Sequence, residues 1–106
     1  MKLFGFLSSS DIHQDVEQFR STPGALLLDV RGTDEYAEGH IPGAVNIPLQ
    51  VLPTKKGLPE DLDTPIFAYC RSGGRSRRAA AFLEKIGYRN VKNIGGIMSW
   101  SGSLET

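Results

Sequence analysis

The sequence predicts an α/β domain, a parallel sheet covered by helices on both faces, and three observations carry that prediction. Residues 25–30 and 65–69 are short, nearly continuous apolar runs, the pattern of strands buried on both sides. Between and after such runs, apolar residues recur at helical spacing, so strands alternate with helices. A chain of 106 residues builds one real core and has no room for a second, so residues 1–106 read as a single domain.

In chain order, the apolar stretch from Leu3 to Leu7, within an N-terminal segment of residues 1–10, reads as a short edge strand or a segment packed against the core. Asp11 is suited to cap a helix, with Gln14 three positions on. Ile12, Val16 and Phe19 share one face of that helix, and His13 falls off it toward solvent. Residues 21–24 turn the chain into the strand that ends at Asp29-Val30. Asp29 and Arg31 lie at its C-terminal end, where ligands gather in open α/β sheets, and read as an ion pair or loop anchor supporting a site. Thr33 is placed to cap a short helix with Asp34 and Glu35 in its first turn, and Gly39 ends it. His40 precedes a Pro42-Gly43 turn and reads as its anchor. Val45-Asn46-Ile47 is a further short strand, and Leu49, Val51 and Leu52 fit a brief helical turn. A polar loop over residues 55–63 leads to the strand before Cys70. Ala79, Ala80, Phe82, Leu83 and Ile86 then define a helix stopped by Gly87, residues 88–94 a last strand centred on Val91, and residues 97–100 a last short helix carrying Trp100 as a core or rim aromatic.

Composition narrows the function. Hydrophobic residues make up 40% and charged residues 23%, as in ordinary soluble proteins, and the net charge of zero argues against nucleic acid as a partner. Two histidines and one cysteine far apart in sequence give no metal site, and no cofactor motif is present; Gly95-Gly96 lacks dinucleotide or phosphate-loop spacing. No apolar stretch approaches membrane-spanning length, and the apolar start is too short for a signal-peptide core, so the expected location is the cytoplasm. The single cysteine excludes an internal disulfide and fits a reducing compartment.

That cysteine opens Cys70-Arg71-Ser72-Gly73-Gly74-Arg75-Ser76, the junction of a buried strand with a helix. Two glycines permit a tight turn whose amide N–H groups converge on an anion, and the helix start adds unpaired donors and partial positive charge. Arg71, Arg75, Arg77 and Arg78 follow within eight positions without an intervening acid. A cysteine at such a cradle is expected to have its thiolate stabilised and to act as a nucleophile toward anionic substrates.

Three stretches resemble the rhodanese-like domain family. Leu28-Asp29-Val30-Arg31 with Glu35-Tyr36, then residues 38–48 (Glu-Gly-His-Ile-Pro-Gly-Ala-Val-Asn-Ile-Pro), then the Cys70 loop follow one another in the family's order, with Gly95-Gly96 and Trp100 closing the pattern. The resemblance implies a small, five-stranded, mainly parallel sheet and sulfur transfer through a cysteine persulfide. Cys70 would take the sulfane sulfur of thiosulfate or another persulfide donor and pass it to a thiol, to cyanide or to a sulfur-accepting protein. The amides of Arg71, Ser72, Gly73, Gly74, Arg75 and Ser76 would cradle the sulfur, and Arg71 and Arg75 would position an anionic donor. The family also holds phosphatases, arsenate reductases and non-catalytic modules, which stay open as alternatives. Cysteine phosphatases carry an arginine six positions after the cysteine, where this chain has Ser76.

Overall fold

A computed structural model describes residues 11–106; the expected strand over Leu3–Leu7 lies outside the described residues. The elements run α1 (Ile12–Arg20), β1 (Leu26–Asp29), α2 (Thr33–Glu38), β2 (Val45–Asn46), a 3-10 helix (Leu49–Thr54), β3 (Ile66–Cys70), α3 (Gly74–Lys85), β4 (Val91–Gly96) and a final 3-10 turn (Ile97–Ser99).

The sheet has four strands among the described residues, in the order β2-β1-β3-β4, and every pairing is parallel. That is one strand fewer, among the described residues, than the five the resemblance implies. After Gly96 the chain turns into a 3-10 helix, and the segment that follows pairs only once, through an antiparallel bridge between His40 and Glu105.

Alternation along the two central strands builds the core. Leu28, Val30, Ile66, Ala68 and Cys70 face one way and pack with Leu52, Ala79 and Leu83, under α3 and the first 3-10 helix. Leu27, Phe67 and Tyr69 face the other way and pack with Ile12, Val16 and Ile41, under α1. Both faces are covered, which is why these strands are apolar at every position rather than at every second one. The parity also places the Cys70 side chain on the α3 side.

Local chemistry sets the helix ends. The Asp11 carboxylate accepts the Gln14 N–H at 3.0 Å, as the capping pattern predicts. At α2 the cap is Gly32 rather than Thr33: the Glu35 carboxylate reaches back to the Gly32 N–H at 3.0 Å, and this leaves Thr33 inside the first turn. His13 keeps much of its side chain in solvent, as expected, and the last segment folds back beside it at the start of α1. Its ring stacks on Trp100 with centroids 4.9 Å apart, and Nε2 accepts the Ser101 N–H at 3.0 Å. His40 anchors its turn as expected, with Nδ1 2.9 Å from the Tyr36 carbonyl and its ring stacked on Tyr36.

The chain leaves β1 toward β2 on one side and later returns to place β3 on the other. The C-terminal ends of β1 and β3 therefore flank a topological switch point, the crevice in which open α/β sheets hold ligands. On the β1 side, Asp29 is fully buried and accepts the Arg31 N–H at 2.9 Å. The same carboxylate holds the Arg31 guanidinium through Nε at 3.0 Å and an Nη at 2.7 Å. That Nη also donates to the Gly39 carbonyl at 2.8 Å, which ties the end of β1 to the end of α2.

Because removing one partner strands a buried guanidinium, Asp29→Ala is expected to lower stability by roughly 3–5 kcal/mol. A urea melt measures it as a lower midpoint with an unchanged slope; an unmoved midpoint would show that the pair holds nothing together.

Candidate active site

The last residue of β3 is Cys70, and the chain needs only Arg71 to Gly73 to turn from strand to helix. Gly73 takes φ +108°, a left-handed conformation that a side chain resists, and its N–H points back to the cysteine, donating to Sγ at 3.0 Å. The turn is closed from outside by β4. An added Cβ on Gly96 would lie 2.1 Å from the Arg71 carbonyl oxygen and 2.5 Å from the Ser72 Cα, so only glycine allows the loop to rest there. The Met98 N–H then donates to the Arg71 carbonyl at 3.1 Å. The Gly95-Gly96 pair, with its poor phosphate-loop spacing, is thus the floor against which the Cys70 loop is packed.

Cys70 is buried, with 1% of its surface exposed. Burial by itself pushes the thiol up, but the Ser76 hydroxyl and the backbone N–H groups of Ser76, Gly73 and Ser72 outweigh it, leaving Cys70 below the ordinary thiol value. Ser76 is fully buried in the first turns of α3, its Oγ 3.5 Å from Sγ. Gly74, with Arg71 and Ser72, is exposed at the rim.

Arg75 is half-buried at the start of α3, near enough to Cys70 to feel its charge. It makes a bidentate pair with Glu35 of α2, at 2.8 and 2.9 Å. Arg71 remains exposed on the crest of the loop, so of the two arginines expected to meet an anion, Arg71 is the one displayed there. Asp29 and Arg31 stand across the switch point, where their pairing fixes the loop that begins α2; the register sets Asp29 opposite Tyr69, one residue before the cysteine. They support the site and do not touch the sulfur.

Two residues that the sequence reading did not single out belong to this assembly. One is Glu35, read as a favourable charge in a helix first turn and as part of the second-strand motif, but not as a partner of the loop. The other is Asn93 on β4, whose Oδ1 accepts the Ser76 hydroxyl at 2.7 Å and the Gly95 N–H at 3.0 Å, while its Nδ2 donates to the Gly73 carbonyl at 3.3 Å. An asparagine two residues before a Gly-Gly pair was the available signal, since its side chain prefers to bond nearby backbone. Among the described residues no group of three or more potential metal ligands comes together.

Residues 13–103 match the rhodanese-like domain family. A sulfurtransferase of Allochromatium vinosum is 40% identical over 87 residues, which covers 80% of this chain and 79% of that protein. The thiosulfate sulfurtransferase PspE of Escherichia coli is 36% identical over 72 residues, covering 66% of this chain and 68% of its own. The crystal structure of a rhodanese-like domain protein from Staphylococcus aureus superposes with a TM-score of 0.76 at 27% identity, covering 90% of this chain and 93% of that one.

Hydrogen bonds from Arg75, opposed by burial and aided by the Gly32 N–H, hold the Glu35 carboxyl at about 2, down from its ordinary 4.5. A depressed carboxylate stabilises the fold above its unfolded value and ceases to do so as pH falls through its folded one. The contribution is therefore expected to be complete above about pH 4.5 and lost toward about pH 2, with a size reduced by solvent screening of side chains one-third exposed. Glu35→Gln is expected to flatten that part of the acid-stability profile, followed by circular dichroism; a profile as steep as that of the wild type would rule out the linkage.

Proposed function

The chain belongs to the rhodanese-like domain family, and from that premise we propose that it moves sulfane sulfur from thiosulfate or another persulfide donor to a thiol or cyanide acceptor through a persulfide on Cys70. The observation that carries the proposal is the 3.0 Å contact from the Gly73 N–H to Sγ, at a sulfur whose N–H and O–H donors outweigh its burial.

In the first half-reaction the Cys70 thiolate attacks the outer sulfur of thiosulfate. The S–S bond of the donor breaks, its electron pair leaves with sulfite, and the sulfane sulfur stays on Cys70. In the second, an acceptor thiolate or cyanide attacks that outer sulfur, and Cys70 leaves as the thiolate. No net proton is consumed, so the cradle has no need of a histidine base. It has to stabilise negative charge on sulfur, first as thiolate and then as persulfide, and inward-facing N–H groups at a helix start supply that. Arg71 at the crest supplies charge for an approaching dianion. The nearness of a protein named thiosulfate sulfurtransferase supports this donor.

Phosphoryl transfer is disfavoured on two grounds. The loop carries Ser76 where a cysteine phosphatase has its phosphate-binding arginine, and Arg75, one position earlier, is held by Glu35. The reducing environment of the cytoplasm suits a chain with one cysteine and no thiol to resolve it, and we place the protein there.

Intact-protein mass after incubation with thiosulfate is expected to rise by one sulfur atom, and cyanide is expected to remove it as thiocyanate. Cys70→Ser is expected to gain nothing while keeping the fold, because an alcohol cannot hold the persulfide. Sulfur gain by the serine variant would move the chemistry elsewhere, and no gain by the wild type would overturn thiosulfate as donor.

A further inference from the structure

The hydroxyl of Ser76 has one proton and several acceptors around it. Its Oγ lies 3.5 Å from Cys70 Sγ, 2.7 Å from Asn93 Oδ1, 3.2 Å from the Gly73 carbonyl and 3.4 Å from the Gly95 carbonyl. The shortest of these separations is the one to Asn93, well within the usual O–H···O range, whereas 3.5 Å is an ordinary length for a sulfur acceptor. Asn93 cannot turn its amide to avoid the exchange. Its Oδ1 is also fixed by the Gly95 N–H at 3.0 Å and its Nδ2 by the Gly73 carbonyl at 3.3 Å, so the acceptor faces Ser76.

We propose that Asn93 is a positioning residue that competes with the Cys70 thiolate for the Ser76 hydroxyl proton and thereby sets how readily that thiolate forms. The inference rests on the reading of Cys70 as the nucleophile and adds a control to it. With a neutral thiol, Ser76 donates to Asn93, and nothing is asked of the sulfur. When the thiol loses its proton, the hydroxyl turns to the new anion, and Asn93 Oδ1 keeps only the Gly95 N–H. Each thiolate formed therefore breaks one short hydrogen bond on β4. The same exchange recurs as sulfur charge is generated and discharged in each half-reaction. Asn93 thus holds the resting thiol back from full ionisation and yields the proton when charge appears. The charged groups around this cluster are Arg71 on the loop, Arg75 on α3, Glu35 on α2 paired with Arg75, and the Asp29–Arg31 pair beyond the switch point. They are common to every variant below.

A double-mutant cycle tests the competition directly. Cys70 is the only cysteine, so the pH titration of thiolate ultraviolet absorbance, with Cys70→Ser subtracted to remove tyrosine ionisation, reads one group. Asn93→Ala is expected to raise the thiolate-to-thiol ratio by roughly three- to tenfold at fixed pH, the scale of one hydrogen bond, and to do so only while Ser76 is present. In the Ser76→Ala background the same substitution is expected to leave the midpoint in place. An upward shift of the midpoint, no shift, or an equal shift in both backgrounds overturns the proposal. Asn93→Asp, nearly isosteric, guards against a loop loosened by alanine: it holds the proton more firmly and is expected to raise the midpoint more with Ser76 than without. Equal increases would mean simple charge repulsion and also overturn it. The absorbance reports protonation alone, so it stands or falls separately from sulfur gain on thiosulfate, which tests the transfer reaction itself.

Discussion

Burying a sulfur that must become an anion is self-defeating unless donors replace the water that burial removes. Everything around Cys70 answers that requirement. The sulfur sits at 1% exposure because β3 is covered on both faces and its last residue points under α3. Dry surroundings favour the neutral thiol, yet three backbone N–H groups and one hydroxyl outweigh them. Those donors converge only because the turn from strand to helix is completed in three residues, with Gly73 in a left-handed conformation. The turn rests in place only because β4 offers Gly96, where any side chain would collide with the loop backbone.

Charge is managed separately from these donors. Four arginines cluster in the sequence after Cys70, but the fold assigns them different tasks. Arg75 spans the switch point to Glu35 and so ties the helix after β3 to the helix after β1, two elements on opposite faces of the sheet. Arg31, buried against Asp29, ties β1 to the turn after α2. Arg71, Arg77 and Arg78 remain exposed, a positive rim on a chain of zero net charge.

Strand and helix alternation, the parallel sheet and the cysteine loop were legible in the sequence because each is written locally. Apolar runs at residues 25–30 and 65–69 declare doubly buried strands, and Gly-Gly between a strand and a helix declares a turn that admits a ligand. The Asp29–Arg31 pair was legible for the same reason, being two residues apart. What was not legible depends on pairings distant in sequence. Glu35 meets Arg75 across 40 positions, and Ser76 meets Asn93 across 17, and neither partner carries a local mark of the other. His13 was read correctly as facing solvent, but its partner, Ser101, lies 88 positions away and left no local mark. The cap of α2 shifted from Thr33 to Gly32 because a long carboxylate can satisfy the first N–H as well as a short hydroxyl could.

The contact between His13 and Ser101 has a consequence in the topology of the chain rather than in its chemistry. The first helix and the segment after the last strand touch, and the His40–Glu105 bridge pins the latter near residue 105. The two ends of the described fold therefore lie side by side. A short covalent linker from Thr106 to Asp11 would close the described residues into a ring at little entropic cost. The exposed loop, which carries Lys55, Lys56 and Gly57 at the surface, then becomes a natural place to reopen it, preserving every strand and the cysteine turn in a reordered chain.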